Sequence, residues 1–412
     1  MVRIIHTADI HLDSPLRSLA LRDHALSEAV EAATRVAFQK IIETAIEERA
    51  KALLISGDLF DGKQRSARTA VFLTSQLDRL RTANIRVFYI KGNHDAENQL
   101  TGGLDLPDNV HVFTGRGEKV QLTDDIWIHG VSFTQRQTPD SLVPRFDTPV
   151  AGAVNIALLH TSVGGAQGHD VYAPCSVSEL VATGFDYWAL GHIHKRQIYS
   201  EEPWVVMPGI PQGRDMGEAG AKSATLLTID EGKIDVTEIQ TSAVEFISHS
   251  IDISNIENDD ALRTLLREEI KNKANRLDAT AGVLRLTIEG RPQSHWQILR
   301  DSDYWQQQVV ELARETNHLW IDKLIFNLEA PAVLESSASA TDELAVTMAE
   351  IQNEPGFDNT AQTRIKELVD DLPRELRARI LPEENRIQSL IKDLGKAGAQ
   401  HVLARMKGAD SQ

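Results

Sequence analysis

The sequence predicts an α/β fold in which two sheets pack face to face between helices, followed by a smaller α+β unit and a helical C-terminal tail. Near the start, short apolar runs alternate with helical segments, which argues for βαβ units. Apolar runs with little helix between them come next and argue for a second sheet closed by hairpins. After about residue 245 strands and helices alternate again, and beyond residue 341 the chain is helical and charged, punctuated by Pro355, Pro373 and Pro382.

Residues 3–6, 52–56 and 86–90 are the first apolar runs, expected as buried strands. Between them, 23–49 and 66–81 carry apolar residues at spacings of three and four. Val30, Thr34, Ala37, Ile41 and Ala45 fall on one helical face. Further strands are expected at 127–131, 155–159, 187–190 and 204–207, and a hairpin at 224–230 and 233–240 around a Glu-Gly-Lys turn. Then 251–253, 283–289 and 319–328 read as strands, with helices at 258–273 and 303–315. A Ser- and Ala-rich stretch at 335–341 reads as a linker. The expected domains are therefore 1–245, 246–335 and 336–412.

Composition narrows the function. With 412 residues, 42% hydrophobic and 25% charged, the chain is an ordinary globular one rather than collagen-like or disordered. No run of ~18 uncharged apolar residues exists, so no membrane span is expected. The N-terminal MVRIIHTADIHLD lacks the apolar core of a signal peptide, and a cytoplasmic protein is expected. The single cysteine, Cys175, excludes a disulfide framework and a cysteine-rich zinc site. Lys and Arg number 43 against 60 Asp and Glu, a net charge of −17 spread along the whole chain. A broad basic face for nucleic acid is excluded; if such a polymer is handled, metals and a partner must supply positive charge.

Five short clusters of His, Asp and Asn each follow an expected strand: Asp9-Ile10-His11, Gly57-Asp58, Gly92-Asn93-His94-Asp95, His160, and Gly191-His192-Ile193-His194. Ligands in open α/β sheets bind beyond the carboxyl ends of strands, so the clusters are placed to converge. On extended backbone, residues two apart point the same way, which is expected to aim Asp9 with His11, and His192 with His194, at one pocket. Each fragment alone has an ordinary explanation, as turn chemistry or a hydrogen-bonded core histidine. Their sum is different: mixed imidazole and carboxylate ligands suit manganese, iron or zinc, and there are too many for one tetrahedral ion.

At these residues the sequence resembles the calcineurin-like metallophosphoesterases, whose ordered blocks D-x-H, G-D, G-N-H-[DE], H and G-H-x-H are all present. His-Thr-Ala-Asp-Ile-His-Leu-Asp at 6–13, Gly-Asp-Leu-Phe-Asp at 57–61 and Met-Pro-Gly-Ile-Pro-Gln-Gly-Arg-Asp at 207–215 resemble the DNA-repair exonuclease branch, the SbcD-like proteins and among them the YhaO-like subgroup. The resemblance implies a four-layer α/β/β/α sandwich, a smaller α+β capping domain and a helical tail. It implies two metal ions, manganese expected, one held by Asp9, His11, Asp58 and His194 and the other by Asp58, Asn93, His160 and His192, with Asp58 shared. His94 is implied as the proton donor to the leaving oxygen or a stabiliser of the phosphorane, and Asp95 as the group that orients its ring. Arg214, on a loop that the resemblance places near the site, is weighed equally as a phosphate contact and as a surface salt bridge. Asp13 and Asp61, just past ligands, are weighed equally as turn residues and as supports of the site.

The implied activity is hydrolysis of DNA phosphodiester bonds, with an SMC-type coiled-coil ATPase as partner and a homodimer as a further assembly. A phosphatase or cyclic-nucleotide phosphodiesterase on the same scaffold, and a non-catalytic anchor for an ATPase, are the alternatives. The stripes Ile365, Leu368, Val369 and Ile387, Leu390, Ile391, Leu394, with the charged stretch Arg374-Glu375-Leu376-Arg377, are where the tail is expected to meet its partner. Gly220-Ala221-Lys222-Ser223 lacks the glycine a P-loop needs before its lysine, so no nucleotide-hydrolysing site is expected.

Overall fold

A computed structural model describes residues 1–16, 24–61, 66–97, 105–164, 172–330, 340–372 and 385–407. The chain divides into two compact units, neither of them one continuous stretch. The first comprises Met1–His249, Asn272–Arg285 and Thr316–Lys323; the second comprises Ser250–Lys271, Leu286–Glu315 and Leu324–Gln412.

The chain opens with β1 (Val2–Thr7), α1 (His24–Glu31), α2 (Ala33–Glu47), β2 (Ala52–Ser56), α3 (Ala67–Thr82), β3 (Arg86–Ile90), α4 (Asn93–Glu97) and β4 (Val110–Val112). Next come β5 (Glu118–Thr123), β6 (Ile126–Gly130), β7 (Val154–His160), α5 (Val177–Ala182), β8 (Tyr187–Gly191), β9 (Gln197–Glu201) and β10 (Trp204–Met207). They are followed by β11 (Ser223–Asp230), β12 (Lys233–Gln240), β13 (Val244–Asp252), α6 (Asp259–Asn275), β14 (Ala281–Gly290), α7 (His295–Arg300), α8 (Ser302–Arg314) and β15 (Leu319–Leu328). The tail holds α9 (Ala340–Gln352), α10 (Pro355–Asp370) and α11 (Asn385–Lys407).

In the first unit, one sheet has the order β12-β11-β1-β2-β3-β4 and the other β5-β6-β7-β8-β10-β9. Strands β1 to β4 pair in parallel, as do β6, β7, β8 and β10, while β11, β12, β5 and β9 add antiparallel edges. Strand alternation sorts the core into layers. Ile4, Leu54, Phe88 and Ile90 meet Ile128, Ile156, Leu158 and Ala189 between the sheets. Their neighbours Ile5, Leu53, Ile55 and Val87 face outward onto Phe38, Ile41, Ile42, Leu73 and Leu77 of α2 and α3. Ala157, Leu159, Trp188 and Leu190 line the far face of the second sheet with Leu180 of α5. The result is α/β/β/α, and every parallel strand ends on the same side of the layer it belongs to.

Polar contacts join the sheets where those ends lie. The Tyr187 hydroxyl donates to His6 Nδ1 at 2.9 Å, and His6 Nε2–H donates to the Leu190 carbonyl at 3.0 Å. Ser56 Oγ donates to the Ala189 carbonyl at 2.8 Å.

β13, β14 and β15 form a third sheet in that order. Within the second unit α11 lies against α7, α9 and α10. Ile387, Ile391, Leu403 and Ala404 are buried there, and the Lys407 ammonium pairs with Asp342 and sits 5.0 Å from the centre of the Trp296 ring. Of the stripes expected to meet a partner, Ile387, Ile391 and Val369 are buried, whereas Leu368 and Leu394 are 69% and 55% exposed. Residues 336–339 of the expected linker and the charged stretch 374–377 lie outside the described residues. Among the described residues no helix is long and apolar enough to cross a membrane.

Burial holds the pKa of His6 down to about 3 from its ordinary 6.5. The unfolded chain therefore protonates His6 as pH falls through 6.5 while the folded chain resists until about 3, so the stabilisation is complete above 6.5 and drains away below it. The variant His6→Gln is expected to be less stable than the parent by about 1–3 kcal/mol at pH 7.5. By pH 5 that gap should narrow by about 2 kcal/mol. Urea denaturation at the two pH values checks this; a gap that does not change with pH would show that His6 is not held neutral.

Candidate metal centre

The loops that follow β1 and β2 run side by side: Asp9 N–H donates to Gly57 O, His11 N–H to Asp58 O and Leu12 N–H to Leu59 O, each at 3.0 Å. The expectation that Asp9 and His11 share a face through extended backbone is corrected here. β1 stops at Thr7, and Asp9, His11, Asp13, Asp58 and His192 take positive φ values of 52°, 44°, 61°, 51° and 104°. Left-handed backbone at non-glycine residues costs about 1–3 kcal/mol each and persists where the surroundings over-determine it. Here the turns at Asp9, His11, Asp58 and His192 aim side chains into one space, so the pairs converge by turning rather than by strand alternation.

Ligating atoms of Asp9, His11 and His194 lie within 4.8 Å of one another, as do those of Asp9, Asp58 and His160, and those of His11, Asp61 and His94. The Nε2 atoms of His11 and His194 are 3.3 Å apart. His160 Nδ1–H donates to the Ser56 carbonyl at 2.9 Å, leaving Nε2 2.9 Å from Asn93 Oδ1 and 3.4 Å from Asp58 Oδ2. His192 N–H donates to both oxygens of Asp9, at 3.1 and 2.9 Å. A pocket of about 180 Å³ is lined by Asp58, Asn93, His94, Arg136, Tyr172, His192 and His194. The structure thus brings together all the residues expected as ligands. Arg136 and Tyr172 join them without any spacing signal in the sequence.

Burial governs the charges. It opposes ionisation of Asp9 and raises its pKa, with His160 and His194 pulling the other way. Asp58 is equally buried, but the charge and hydrogen bond of His160, with His11 and His94, outweigh burial and hold its carboxyl below the usual range. Burial pushes the His11 pKa well down, keeping its imidazole neutral, and its Nδ1 is a buried nitrogen with no hydrogen-bond partner. His160 is shifted the opposite way: burial opposes its charge, but the Asp58 and Asp9 carboxylates outweigh burial and raise its pKa to about 9, favouring a proton where a cation would sit. Imidazoles, two buried carboxylates and an amide oxygen are a donor set that fits divalent transition-metal ions, whose charge offsets the desolvation of the carboxylates.

One supporting residue differs from expectation. Asp95 does not orient His94: its carboxylate accepts from Leu59 N–H at 3.2 Å, Phe60 N–H at 3.0 Å and Gly92 N–H at 3.1 Å, tying the loops after β2 and β3 together. Asp61 stands at that ring instead, with Oδ1 3.5 Å from His94 Nδ1 and 3.8 Å from His11 Nδ1. Proximity in sequence favoured Asp95; the short helix α4 turns its side chain inward to the backbone amides. Arg214 is engaged with Glu218, Nη2 to Oε1 at 2.9 Å, rather than extended into the pocket. Asp13 accepts two bonds from Arg35 at 2.6 Å and supports the loop at Thr69.

Residues 2–196 match the family model of the calcineurin-like phosphoesterases, and residues 246–329 match that of the middle domain of metallophosphoesterase YhaO. The uncharacterized metallophosphoesterase YhaO of Bacillus subtilis is 31% identical over 297 residues, 69% of this chain and 71% of that protein. The chain belongs to the calcineurin-like metallophosphoesterases. This metallophosphoesterase is also similar to the DNA double-strand break repair protein Mre11 of Methanosarcina mazei, 26% over 262 residues, covering 61% of this chain and 40% of that one. The protein of the same name from Saccharolobus solfataricus is 28% identical over 202 residues, 48% of this chain and 50% of its own. The chain therefore spans half or less of the length of these two Mre11 relatives. Family membership makes it a phosphoesterase that uses divalent metal ions.

Gly57 is a position at which the metallophosphoesterase site has no room for a side chain. Its φ is +92° and an added Cβ would stand 2.4 Å from His160 Nδ1. Gly57→Ala is expected to destabilise the fold by about 1–3 kcal/mol. It should also weaken Mn2+ binding, because His160 must move. Calorimetric titration and thermal melts of the metal-free variant check both; parental metal affinity would show that the His160 position is not critical.

Proposed function

We propose that this metallophosphoesterase hydrolyses phosphodiester bonds of DNA using two divalent cations, manganese foremost, held by Asp9, His11, Asp58, Asn93, His160, His192 and His194. The convergence of these side chains on one pocket carries the reading. DNA as the substrate is supported by the Mre11 relatives. Cations in such a site polarise phosphoryl oxygen and lower the pKa of water. His94, 30% exposed at the pocket, has Nδ1 beside Asp61, which leaves Nε2 to donate a proton to the leaving oxygen.

Digestion of end-labelled DNA alongside bis-p-nitrophenyl phosphate, with and without Mn2+, tests the whole reading. Cleavage of the small diester alone would favour a phosphodiesterase of small substrates such as cyclic nucleotides, and cleavage of neither would leave an anchoring protein. Asp58→Asn is expected to lose metal occupancy and activity together. His94→Gln should keep its metal while activity falls by ~10²-fold or more. A His94 variant as poor in metal as the Asp58 variant would overturn the separation of roles.

The same reading gives the tail an SMC-type ATPase as partner, with the exposed Leu368 and Leu394 at the contact. Leu368→Asp combined with Leu394→Asp is expected to abolish capture of the ATPase in pull-downs and to leave hydrolysis of the small ester unchanged. Undiminished capture would remove the tail from consideration.

A further inference from the structure

His194 is one of the residues placed at the cation site, and the second nitrogen of its ring is not left to solvent. Glu218 Oε1 lies 2.6 Å from His194 Nδ1. Both of its oxygens accept from Arg214, Oε2 from the backbone N–H and Oε1 from the guanidinium, the arrangement of a carboxylate. A carboxylate can only accept, so Nδ1 carries the proton and the lone pair of the ring is at Nε2. That atom is the one 3.3 Å from His11 Nε2.

Glu218 is itself fixed. Arg214 donates to it from the backbone N–H to Oε2 at 2.7 Å and from Nη2 to Oε1 at 2.9 Å. The segment around it folds back on the ligand loop: Ile210 N–H donates to the His194 carbonyl, Glu218 N–H donates to Asp215 O, and the Asp215 side chain accepts from Gly217 N–H. Arg214 Nη2 also lies 3.1 Å from His194 Nδ1, but with a proton on that nitrogen the guanidinium has Glu218 as its acceptor.

We infer that Glu218 is a positioning residue that locks His194 in the tautomer whose Nε2 faces the cation, and that Arg214 serves the site through Glu218 rather than by touching substrate. The inference rests on the two-cation reading above. A carboxylate behind a ligating imidazole fixes the ring's tautomer and orientation and raises its basicity; loss of such a partner typically weakens metal binding by ~10–100-fold. Glu218→Gln keeps the shape but offers His194 either an oxygen or an amide NH2, so the other tautomer becomes available with no lone pair toward the cation.

Two measurements on the full-length protein test this. In the metal-free protein, 15N shifts of the His194 ring should report the Nδ1–H tautomer in the parent and a mixture in Glu218→Gln. In Mn2+ titrations by calorimetry, Glu218→Gln should weaken one of two binding events by ~10–100-fold and leave the other nearly unchanged. Arg214→Gln, which leaves the Glu218–His194 contact in place, should cost less affinity than Glu218→Gln and leave KM for bis-p-nitrophenyl phosphate near the parental value. Parental tautomer and parental affinity in Glu218→Gln would overturn the role of Glu218. A large rise in KM in Arg214→Gln at unchanged metal affinity would show Arg214 on the substrate. Failure of the parent itself to bind Mn2+ would instead refute the two-cation reading.

Discussion

Gly191 ends β8 against the carbonyl oxygen of Ser56, the last residue of β2, and a Cβ on Gly191 would stand 2.0 Å from that oxygen. No side chain fits there, so the two sheets approach at this corner more closely than side-chain packing permits elsewhere. The same carbonyl accepts from His160 Nδ1–H, and Ser56 Oγ donates across to Ala189. His6 and Tyr187 add a second bridge beside it. Ligands from β2 belong to one sheet and those from β7 and β8 to the other. They can share a pocket only because this corner is closed.

The imidazoles at the pocket are held by different kinds of acceptor. His160 has a neutral backbone carbonyl behind it, fixed by the sheet corner. His194 has the Glu218 carboxylate, whereas His11 Nδ1 has no hydrogen-bond partner and the Asp61 carboxylate stands 3.8 Å from it. A carbonyl orients a ring, while a carboxylate both orients it and increases its electron donation. The two groups of candidate ligands, one containing His160 and the other His11 and His194, are therefore electronically unequal before any ion is considered. Asp61 lies nearer to His94, the residue proposed for proton donation, with Oδ1 3.5 Å from Nδ1.

Much of this was legible in the sequence, and what was not has a physical reason. The long buried strands announce themselves as uninterrupted apolar runs, as in Ala52–Ser56 and Tyr187–Gly191, where every residue is buried. β5 and β9 are half-exposed edge strands with mixed composition, and β4 has only three residues, so periodicity could not expose them. The ligand clusters are legible because their residue types are costly to bury and sit just after strands. Their convergence through positive φ at Asp9, His11 and His192 is not, since positive φ is uncommon at non-glycine residues and the enrichment of Asp and His there does not mark single positions. Asp95 was misread because adjacency to His94 looks like contact. On the helical turn Asn93–Glu97 neighbouring side chains point apart. Glu218 is 24 residues from His194, and nothing in spacing alone could couple them.

Charge accounting around the pocket resolves the apparent conflict between an acidic chain and an anionic substrate. The net charge of −17 is a property of the whole chain, but the acidic groups near the site are individually answered. Asp13 is paired with Arg35, Glu218 with Arg214, and Asp95 with three backbone amides. Asp9 and Asp58 remain inside the ligand groups, with Asp61 at the edge. In the proposed loaded state two divalent cations set four positive charges against these three carboxylates, so the pocket becomes net positive where a phosphodiester would lie. Because the attraction is confined to a few ångströms by burial and screened beyond about 8–10 Å at ordinary salt, the acidic surface elsewhere repels substrate only weakly. An overall basic protein is thus unnecessary for local recognition of phosphate, provided the carboxylates that do not bind cations are neutralised by partners, as they are here.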